Sequence, residues 1–170
     1  MGQFYIDDSV HDKAGFIIGA CVYSDSDIDK KIELIIKSHG FDPKNFEFKS
    51  STNYTKEPEK AKVREDLKET LYSNCKLGIV VIPREYREQL GFECVKAIKQ
   101  FIDANENLKK PISVYFDQGM FGSVFKAKEF IKSLHFMDCE FFLEQDSKEI
   151  KGFSLQIYPH IFLQFNLKIA

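Results

Sequence analysis

Phe4-Tyr5-Ile6-Asp7-Asp8-Ser9 is a short apolar run that ends in two carboxylates and a hydroxyl. Its aromatic and β-branched residues predict the first strand of the chain. Because side chains alternate between the two faces of a strand, Asp7 shares a face with Tyr5, and Asp8 shares the other face with Ile6. One aspartate must therefore point where apolar residues point, and a buried carboxylate is costly unless a partner such as a metal ion compensates it. The alternative interpretation is an exposed turn that ends the strand at residues 7–9.

The length and composition predict a single domain over residues 1–170. The chain has 24 Lys plus Arg and 26 Asp plus Glu, a net charge of −2, so any site for a polyanion must be a local patch. No basic leader and no membrane-length apolar run occurs, which predicts a cytoplasmic protein without a membrane partner. The four cysteines are far apart and lack a Cys-x-x-Cys pair, so we expect reduced core thiols.

The remaining apolar pattern predicts an α/β layered domain. Residues 15–23 are almost continuously apolar, which predicts a buried strand that forms a hairpin with the first one. The alternation in residues 45–51 predicts a third strand. The later elements are predicted as helices at 28–40, 56–72, 83–105 and 121–134, and as strands at 76–82, 112–117 and 140–143. This order predicts a mixed sheet, antiparallel in its first three strands and then parallel, flanked by helices.

Three carboxylates on these predicted strands are candidates for one site: Asp7, Glu47 and Asp117. Converging carboxylates do not all stay ionised cheaply without a cation, and oxygen ligands favour Mg²⁺ or Mn²⁺ over Zn²⁺. Two such ions clamp the attacking and leaving oxygens of a phosphodiester, so the matching reaction class is a metal-dependent nuclease, a hydrolase. The alternative for Glu47 is a solvent-exposed pair with Lys49 on an edge strand.

Other acid-rich chemistries fit the sequence less well. A phosphatase of the haloacid dehalogenase type requires Asp-x-Asp after its first strand, and the second position here is Ser9. A glycosidase commonly stacks sugar on tryptophan, and the chain contains none. The four histidines show no spacing typical of metal ligands.

One helix carries a basic stripe that is a candidate contact for nucleic acid. Lys60, Arg64 and Lys68 recur at four-residue spacing and therefore lie on one side of the predicted helix at 56–72. Such a stripe is commonly a solvated face balanced by neighbouring glutamates. The other interpretation is a helix that faces backbone phosphates, since Lys and Arg supply most of the non-specific affinity for nucleic acid.

The order of these motifs resembles a bacterial and phage family known as domain of unknown function 3800. The matching features are Tyr5-Ile6-Asp7-Asp8-Ser9, an apolar strand at 16–22, Glu47-Phe48-Lys49-Ser50-Ser51, and a strand that ends in Asp117. The family typically opens with Tyr-Ile-Asp-Glu-Ser, carries Glu-x-Lys on its third strand and closes with a helix reading Leu-Gln-x-Ala-Asp. The resemblance extends to about Ile157, and it implies a ribonuclease H-like fold with an acidic metal site.

The resemblance also implies roles for individual residues. Asp7, Glu47 and Asp117 match the family's acids and would bind Mg²⁺ or Mn²⁺, and Lys49 would steady phosphate or transition-state charge. Three more residues are expected to support the site without binding the metal: Asp8, Ser9 and Gln156.

The match ends after Leu155-Gln156-Ile157. The family pattern continues with Ala-Asp, but this chain has Tyr158-Pro159, so the fourth acid is missing and the proline opposes a helix. We therefore expect an atypical or truncated segment at 158–170. The same difference motivates an alternative function, a catalytically impaired ribonuclease H-like module that binds nucleic acid or a protein partner.

Overall fold

A computed structural model describes residues 1–11, 15–46, 55–146 and 149–157. Within these ranges the strands form one sheet of five, in the spatial order β3-β2-β1-β4-β5. Their bounds are β1 Gly2–His11, β2 Phe16–Ser24, β3 Cys75–Pro83, β4 Ile112–Asp117 and β5 Cys139–Gln145. β1 and β3 both run antiparallel to β2, whereas β4 runs parallel to β1 and to β5. The predicted mixed sheet is confirmed.

Four α-helices cover this sheet in the described part of the chain. They are α1 Ile28–Ser38, α2 Pro58–Asn74, α3 Leu90–Asp103 and α4 Val124–Ser133. Two 3₁₀ segments complete the fold, and we call them the 84–89 turn (Arg84–Gln89) and the 151–157 turn (Lys151–Ile157).

Local sequence explains where the helices begin and end. The Asp27 side chain caps α1 by accepting a hydrogen bond from the Lys30 amide at 3.2 Å, and Gly40 follows the helix with a φ of +81°, a value that glycine adopts without strain. Pro58 opens α2, where its missing N–H costs nothing. The Ser123 hydroxyl caps α4 through the Lys126 amide at 3.4 Å.

The sheet separates two apolar layers. One face packs against α1, α2 and the 151–157 turn, with Tyr5 and Val22 at its centre. The other face packs against α3 and α4, with Phe4 and Ile6 at its centre. Consecutive residues of β1 therefore belong to different layers, as strand geometry requires.

One prediction about the strands was wrong, and another falls mostly outside the described residues. The predicted parallel strand at 76–82 is β3, the antiparallel third strand, and it lies at an edge of the described sheet. From Leu77 to Ile82 its run is apolar, but Ile79 and Val81 are 43% and 56% exposed, whereas Cys75 and Leu77 pack against the described apolar layer. The predicted third strand at 45–51 begins in a turn at Asn45, and residues 47–51 lie outside the described part of the chain.

The interpretation of residues 7–9 as a turn was also wrong. β1 continues to His11, and Asp7, Asp8 and Ser9 pair with residues of β2. Pairing with the apolar strand β2 extends β1 beyond Asp7 and Asp8. The composition of β1 alone did not indicate this extension.

The remaining bulk expectations concern cysteines and membranes. All four cysteines are free thiols, with Cys21 and Cys94 buried and Cys75 and Cys139 half-buried. None of the described helices has the length and apolar content required to cross a bilayer.

Candidate metal centre

Asp7 and Asp117 are brought together by the parallel pairing of β1 and β4. Ile6 pairs with Phe116 at the end of the β1–β4 ladder. Asp7 and Asp117, which are the next residues of the two strands, therefore lie side by side. The two carboxyl groups share a hydrogen bond. Two acids that are 110 positions apart in the sequence thus form one group at the carboxyl end of β4.

A row of stacked aromatic rings lies next to this pair of acids, on the same face of the sheet. Tyr5 and Tyr115 lie two residues before the acids on the same faces of their strands, and their ring centroids are 5.5 Å apart at 15°. Phe142 of β5 continues the row, 4.9 Å from Tyr115 at 14°. The acids therefore stand on an apolar layer that holds their strands in register.

The environment of the pair favours its protonated form. Burial, followed by the negative charge of Asp117, raises the pKa of Asp7 to about 8. Burial also raises the pKa of Asp117, and the charges of Asp8 and Asp146 add to the effect, although hydrogen bonds from Gln118 and Asp7 oppose it. At neutral pH the pair therefore retains one proton between its two carboxyl groups.

Asp8 has a different environment from Asp7, as their alternation in the strand predicts. Its carboxylate forms an ion pair with Arg87 of the 84–89 turn, with Oδ2 3.2 Å from the guanidinium. Burial raises the pKa of Asp8, and the positive charge of Arg87 opposes that rise. The Asp8 amide donates to Asp7 Oδ1 at 2.6 Å, which fixes the orientation of the Asp7 carboxyl group.

The other candidate residues are placed less fully. Ser9 lies in β1 opposite Ile18, two residues after Asp7 and so on the same face of the strand. Gln156 belongs to the 151–157 turn, which packs against α1 and β1. Glu47 and Lys49 lie outside the described residues, as does the segment 158–170 with Pro159.

Comparison with known proteins identifies the fold. No family model and no curated protein sequence matches the chain. Solved structures do match, among them the complex of PCNA with RNase HII from Archaeoglobus fulgidus, with a TM-score of 0.54 and 11% identity over 96% of this chain and 73% of that one. Ribonuclease H2 from Pyrococcus horikoshii OT3 matches with a TM-score of 0.52 and 9% identity, over 100% of this chain and 79% of that one. The chain has a ribonuclease H-like fold.

The ribonuclease H-like fold accounts for the position of the two acids. In an open sheet, ligands bind at the carboxyl ends of the parallel strands. Asp117 ends β4, and Asp7 lies beside it where the parallel pairing of β1 with β4 stops, although β1 itself continues to His11. Identities of 9% and 11% show the fold and do not carry residue roles from one chain to the other.

The donor set of the described site fits one divalent cation. Among the described residues there is no group of three or more His, Cys, Asp or Glu side chains arranged to hold a metal ion. A pair of carboxylates is nevertheless the donor set that Mg²⁺ commonly takes, because this ion retains several water ligands and adds substrate phosphates. Burial raises the pKa of both acids, the negative charge of Asp117 adds to the rise at Asp7, and the charges of Asp8 and Asp146 add to the rise at Asp117. A bound cation would relieve that cost. This match between the donor set and a cation involves Asp7 and Asp117 alone, because Glu47 is not among the described residues.

Sequence reasoning missed three charged residues near Asp7, Asp8 or Asp117. Asp146 follows β5 directly, and a strand that runs into an aspartate is the same signal that identified Asp117. Glu144 accepts a hydrogen bond from the Gly119 amide at 3.0 Å and so ties β5 to the turn after Asp117. Arg87 had no local signal, because its pairing with Asp8 depends on how β3 connects to α3.

The basic stripe is balanced by glutamates, as one of the two interpretations expected. Lys60 pairs with Glu57, and Lys68 pairs with Glu65 at 3.4 Å, each three residues away on α2 or at its start. Exposed pairs of this kind contribute little to stability and reduce the positive charge that the helix presents.

Proposed function

We propose that this chain is a nuclease dependent on Mg²⁺ or Mn²⁺, a relative of the domain of unknown function 3800 family that hydrolyses phosphodiester bonds. The observation that carries the proposal is the hydrogen-bonded pair of Asp7 and Asp117 where the β1–β4 ladder ends. Two carboxyl groups held together at the cost of a raised pKa are typical of functional sites. The ribonuclease H-like fold supports the same reaction class.

The chain's own residues prepare the site for a cation and a phosphodiester. Asp7 is oriented by the amide of Asp8, and Asp117 by the amide of Gln118. The stacked rings of Tyr5, Tyr115 and Phe142 give the site an apolar side, and electrostatic interactions are stronger where the surroundings are less polar. A bound divalent cation would polarise a phosphoryl oxygen and activate water. The proton shared by the two acids must leave before both of them bind the ion.

Residues outside the described ranges complete the proposal. Glu47 is the proposed third ligand, and Lys49 is proposed to steady charge on phosphate. Ser9 and Gln156, which belong to the described part of the chain, are proposed to support the ligands. We further propose a cytoplasmic location in a bacterial or phage context, with nucleic acid as the partner.

A second candidate function rests on a specific difference from the family pattern. Pro159 stands where the pattern has its fourth acid, and no three-acid group occurs among the described residues. A ribonuclease H-like module that binds nucleic acid or a protein without cleaving would be consistent with these features.

Cleavage assays separate the two candidates. RNA, DNA and RNA–DNA hybrid substrates are incubated with Mn²⁺ and wild-type protein, Asp7→Asn or Asp103→Asn. Asp103 is a matched control because it is an exposed carboxylate that pairs with Lys99 on α3, on the other side of the sheet from Tyr5 and Asp7. A nuclease loses cleavage only in Asp7→Asn. Equal cleavage by all three proteins excludes the proposed site, and binding without cleavage in wild type supports the second candidate.

A further inference from the structure

Glu144 occupies an irregular position near the end of β5. The β4–β5 ladder pairs Tyr115 with Phe142 and Asp117 with Gln145, so β5 uses one residue more than β4 over this stretch. Glu144 lies within this bulge, and its φ of +57° falls in the left-handed region that glycine tolerates best. Bulges are frequent next to active sites, where they redirect a side chain. A glutamate at this position therefore needs an explanation in what its side chain does.

The two other non-glycine residues with positive φ in the described chain are easier to explain. His135 and Asp138 have φ values of +49° and +56°, and they lie in the connection between α4 and β5. Both residue types adopt this conformation more readily than glutamate does. Glu144 has it inside a strand. Backbone strain of this kind persists only where the surrounding structure holds it, and it is concentrated at functional sites.

The carboxylate of Glu144 is held from one side. Its Oε2 accepts a hydrogen bond from the Gly119 amide at 3.0 Å. Its Oε1 is shielded from solvent and has no hydrogen-bond partner in the described part of the chain. A buried acceptor without a donor is costly, and each such exception in a native structure calls for a reason. The hydrogen bond that the carboxylate does form leads to the turn after β4.

That turn orients Asp117. Asp117 is the last residue of β4, and its carboxylate accepts a hydrogen bond from the Gln118 amide. The next amide along the chain, that of Gly119, is the one that Glu144 binds. Two consecutive amides of one turn thus connect Glu144 of β5 with the proposed ligand of β4. The orientation of the Asp117 carboxylate depends on the turn, and the turn depends on β5 through Glu144.

We propose that Glu144 is a positioning residue, which holds the turn at residues 118–119 so that Asp117 is oriented to bind the divalent cation together with Asp7. The inference rests on the proposed nuclease function and adds a residue to its site. Glu144 acts through backbone amides and need not bind the ion itself, in agreement with the lack of a three-acid group among the described residues. Loss of a residue that orients metal ligands typically costs about 10- to 100-fold in metal affinity or activity.

The test compares variants of the full chain that separate the hydrogen bond from the backbone strain. Glu144→Gln keeps a side-chain oxygen that can accept from the Gly119 amide. Glu144→Ala removes the acceptor but leaves a β-carbon at positive φ, whereas Glu144→Gly removes both the acceptor and the strain. Glu140→Gln is the matched control, because Glu140 is an exposed carboxylate of the same strand.

Hydrogen exchange of the Gly119 amide, followed by NMR, reports on the contact without any metal. Exchange should be about threefold or more faster in Glu144→Ala and Glu144→Gly than in wild type, Glu144→Gln and Glu140→Gln. Equal exchange rates in all five proteins would show that Glu144 does not hold the turn, and would overturn the inference.

Isothermal titration calorimetry with Mn²⁺, in the absence of nucleic acid, measures the effect on the site. We expect Glu144→Ala and Glu144→Gly each to weaken Mn²⁺ binding about tenfold, and Glu144→Gln and Glu140→Gln to stay within about twofold of wild type. Urea unfolding should show that Glu144→Gly is more stable than Glu144→Ala. Affinity should therefore follow the acceptor, while stability follows the strain; a merely structural role would make both follow the strain.

The remaining outcomes separate this inference from the proposed function. If Mn²⁺ binds wild type and requires Asp7, but binds Glu144→Ala as tightly as wild type, the inference is overturned and the nuclease proposal stands. Recovery of wild-type affinity in Glu144→Gly would also overturn it, because affinity would then depend on strain alone. If Mn²⁺ does not bind wild type, or binds Asp7→Asn equally well, the proposed metal site and this inference fail together.

Discussion

The hydroxyl of Tyr5 donates a hydrogen bond to Oδ2 of Asp29 at 3.0 Å, which joins β1 to the first turn of α1 beneath the candidate site. The amide of Gly152 donates to the other oxygen of the same carboxylate. Burial raises the pKa of Asp29, and these two hydrogen bonds oppose the rise. One carboxylate thus connects β1, α1 and the 151–157 turn.

Tyr5→Phe should destabilise the chain by about 1–3 kcal/mol, since it leaves one oxygen of a largely buried carboxylate without its donor. Urea unfolding measures the change, and Tyr86→Phe is the control because Tyr86 is 49% exposed. Equal unfolding midpoints for the two variants would show that the Tyr5–Asp29 bond contributes nothing.

Gly152→Ala should cost about 2–4 kcal/mol, because an added methyl group overpacks a filled space. A Cβ at Gly152 would lie 2.2 Å from the ring of Tyr5, which is fully buried. Gly122→Ala is the matched control, since no atom lies within 4 Å of its Cβ position. Urea unfolding of both variants tests this packing, and a stable Gly152→Ala would mean that the 151–157 turn does not rest on Tyr5.

Asp117→Asn should lower the pKa of Asp7 from about 8 toward the ordinary carboxyl value, because the negative charge of Asp117 is the second cause of the shift. The reduction should be partial, since burial is the largest cause and remains. Carboxyl ¹³C NMR titration follows Asp7 directly. Asp146→Asn should likewise lower the pKa of Asp117. An unchanged Asp7 titration in Asp117→Asn would contradict the coupling of the two acids.

The stability of the folded chain should fall as pH rises from about 4 to about 8. A carboxyl group titrates near pH 4 when unfolded, whereas Asp7 does so at about 8 in the fold, so the native state binds more protons within this window. The free energy of unfolding therefore decreases with pH, by up to about 5 kcal/mol for one group, since each pKa unit corresponds to about 1.4 kcal/mol. Urea unfolding at several pH values should show this slope in wild type and a flatter one in Asp7→Asn. Asp103→Asn should keep the wild-type slope.

Mn²⁺ should raise the melting temperature more at alkaline than at acidic pH, because the ion competes with the proton shared by Asp7 and Asp117. Thermal unfolding with and without millimolar Mn²⁺ at about pH 6 and about pH 8.5, on either side of the raised pKa, measures the difference. Asp7→Asn should abolish the stabilisation. A shift of equal size at both pH values would place Mn²⁺ binding elsewhere.

The local sequence pattern was sufficient to predict some features of the fold and of the candidate site. Alternation along β1 separated Asp7 from Asp8, because two neighbouring strand residues cannot share a face. The β-branched run that ends in Asp117 identified the second acid, and parallel pairing then brought the two together. Helix caps and apolar spacing located α1 for the same local reasons.

Other features depend on tertiary pairing and were not accessible from the pattern. An apolar run such as β3 looks the same whether it lies in the middle or at the edge of a sheet, and only its pairing with β2 decides. The irregular register between Tyr115 and Asp117 in the β4–β5 pair also leaves no periodic signal. The contact of Arg87 with Asp8 has the same origin.

The two acids of the candidate site have supports of unequal stiffness. β1 runs past Asp7 to His11 and stays paired with β2 along that length, whereas β4 ends at Asp117 and turns at Gly119 with a φ of +79°. Any widening or narrowing of the gap between the acids must therefore come from the Asp117 side. Cations differ in the oxygen distances they demand, with Mg²⁺ requiring about 2.0–2.1 Å and Ca²⁺ about 2.3–2.6 Å. We expect the turn at residues 118–119 to determine which ion radius the site accepts, because it can shift the Asp117 carboxylate while β1 holds Asp7 in place.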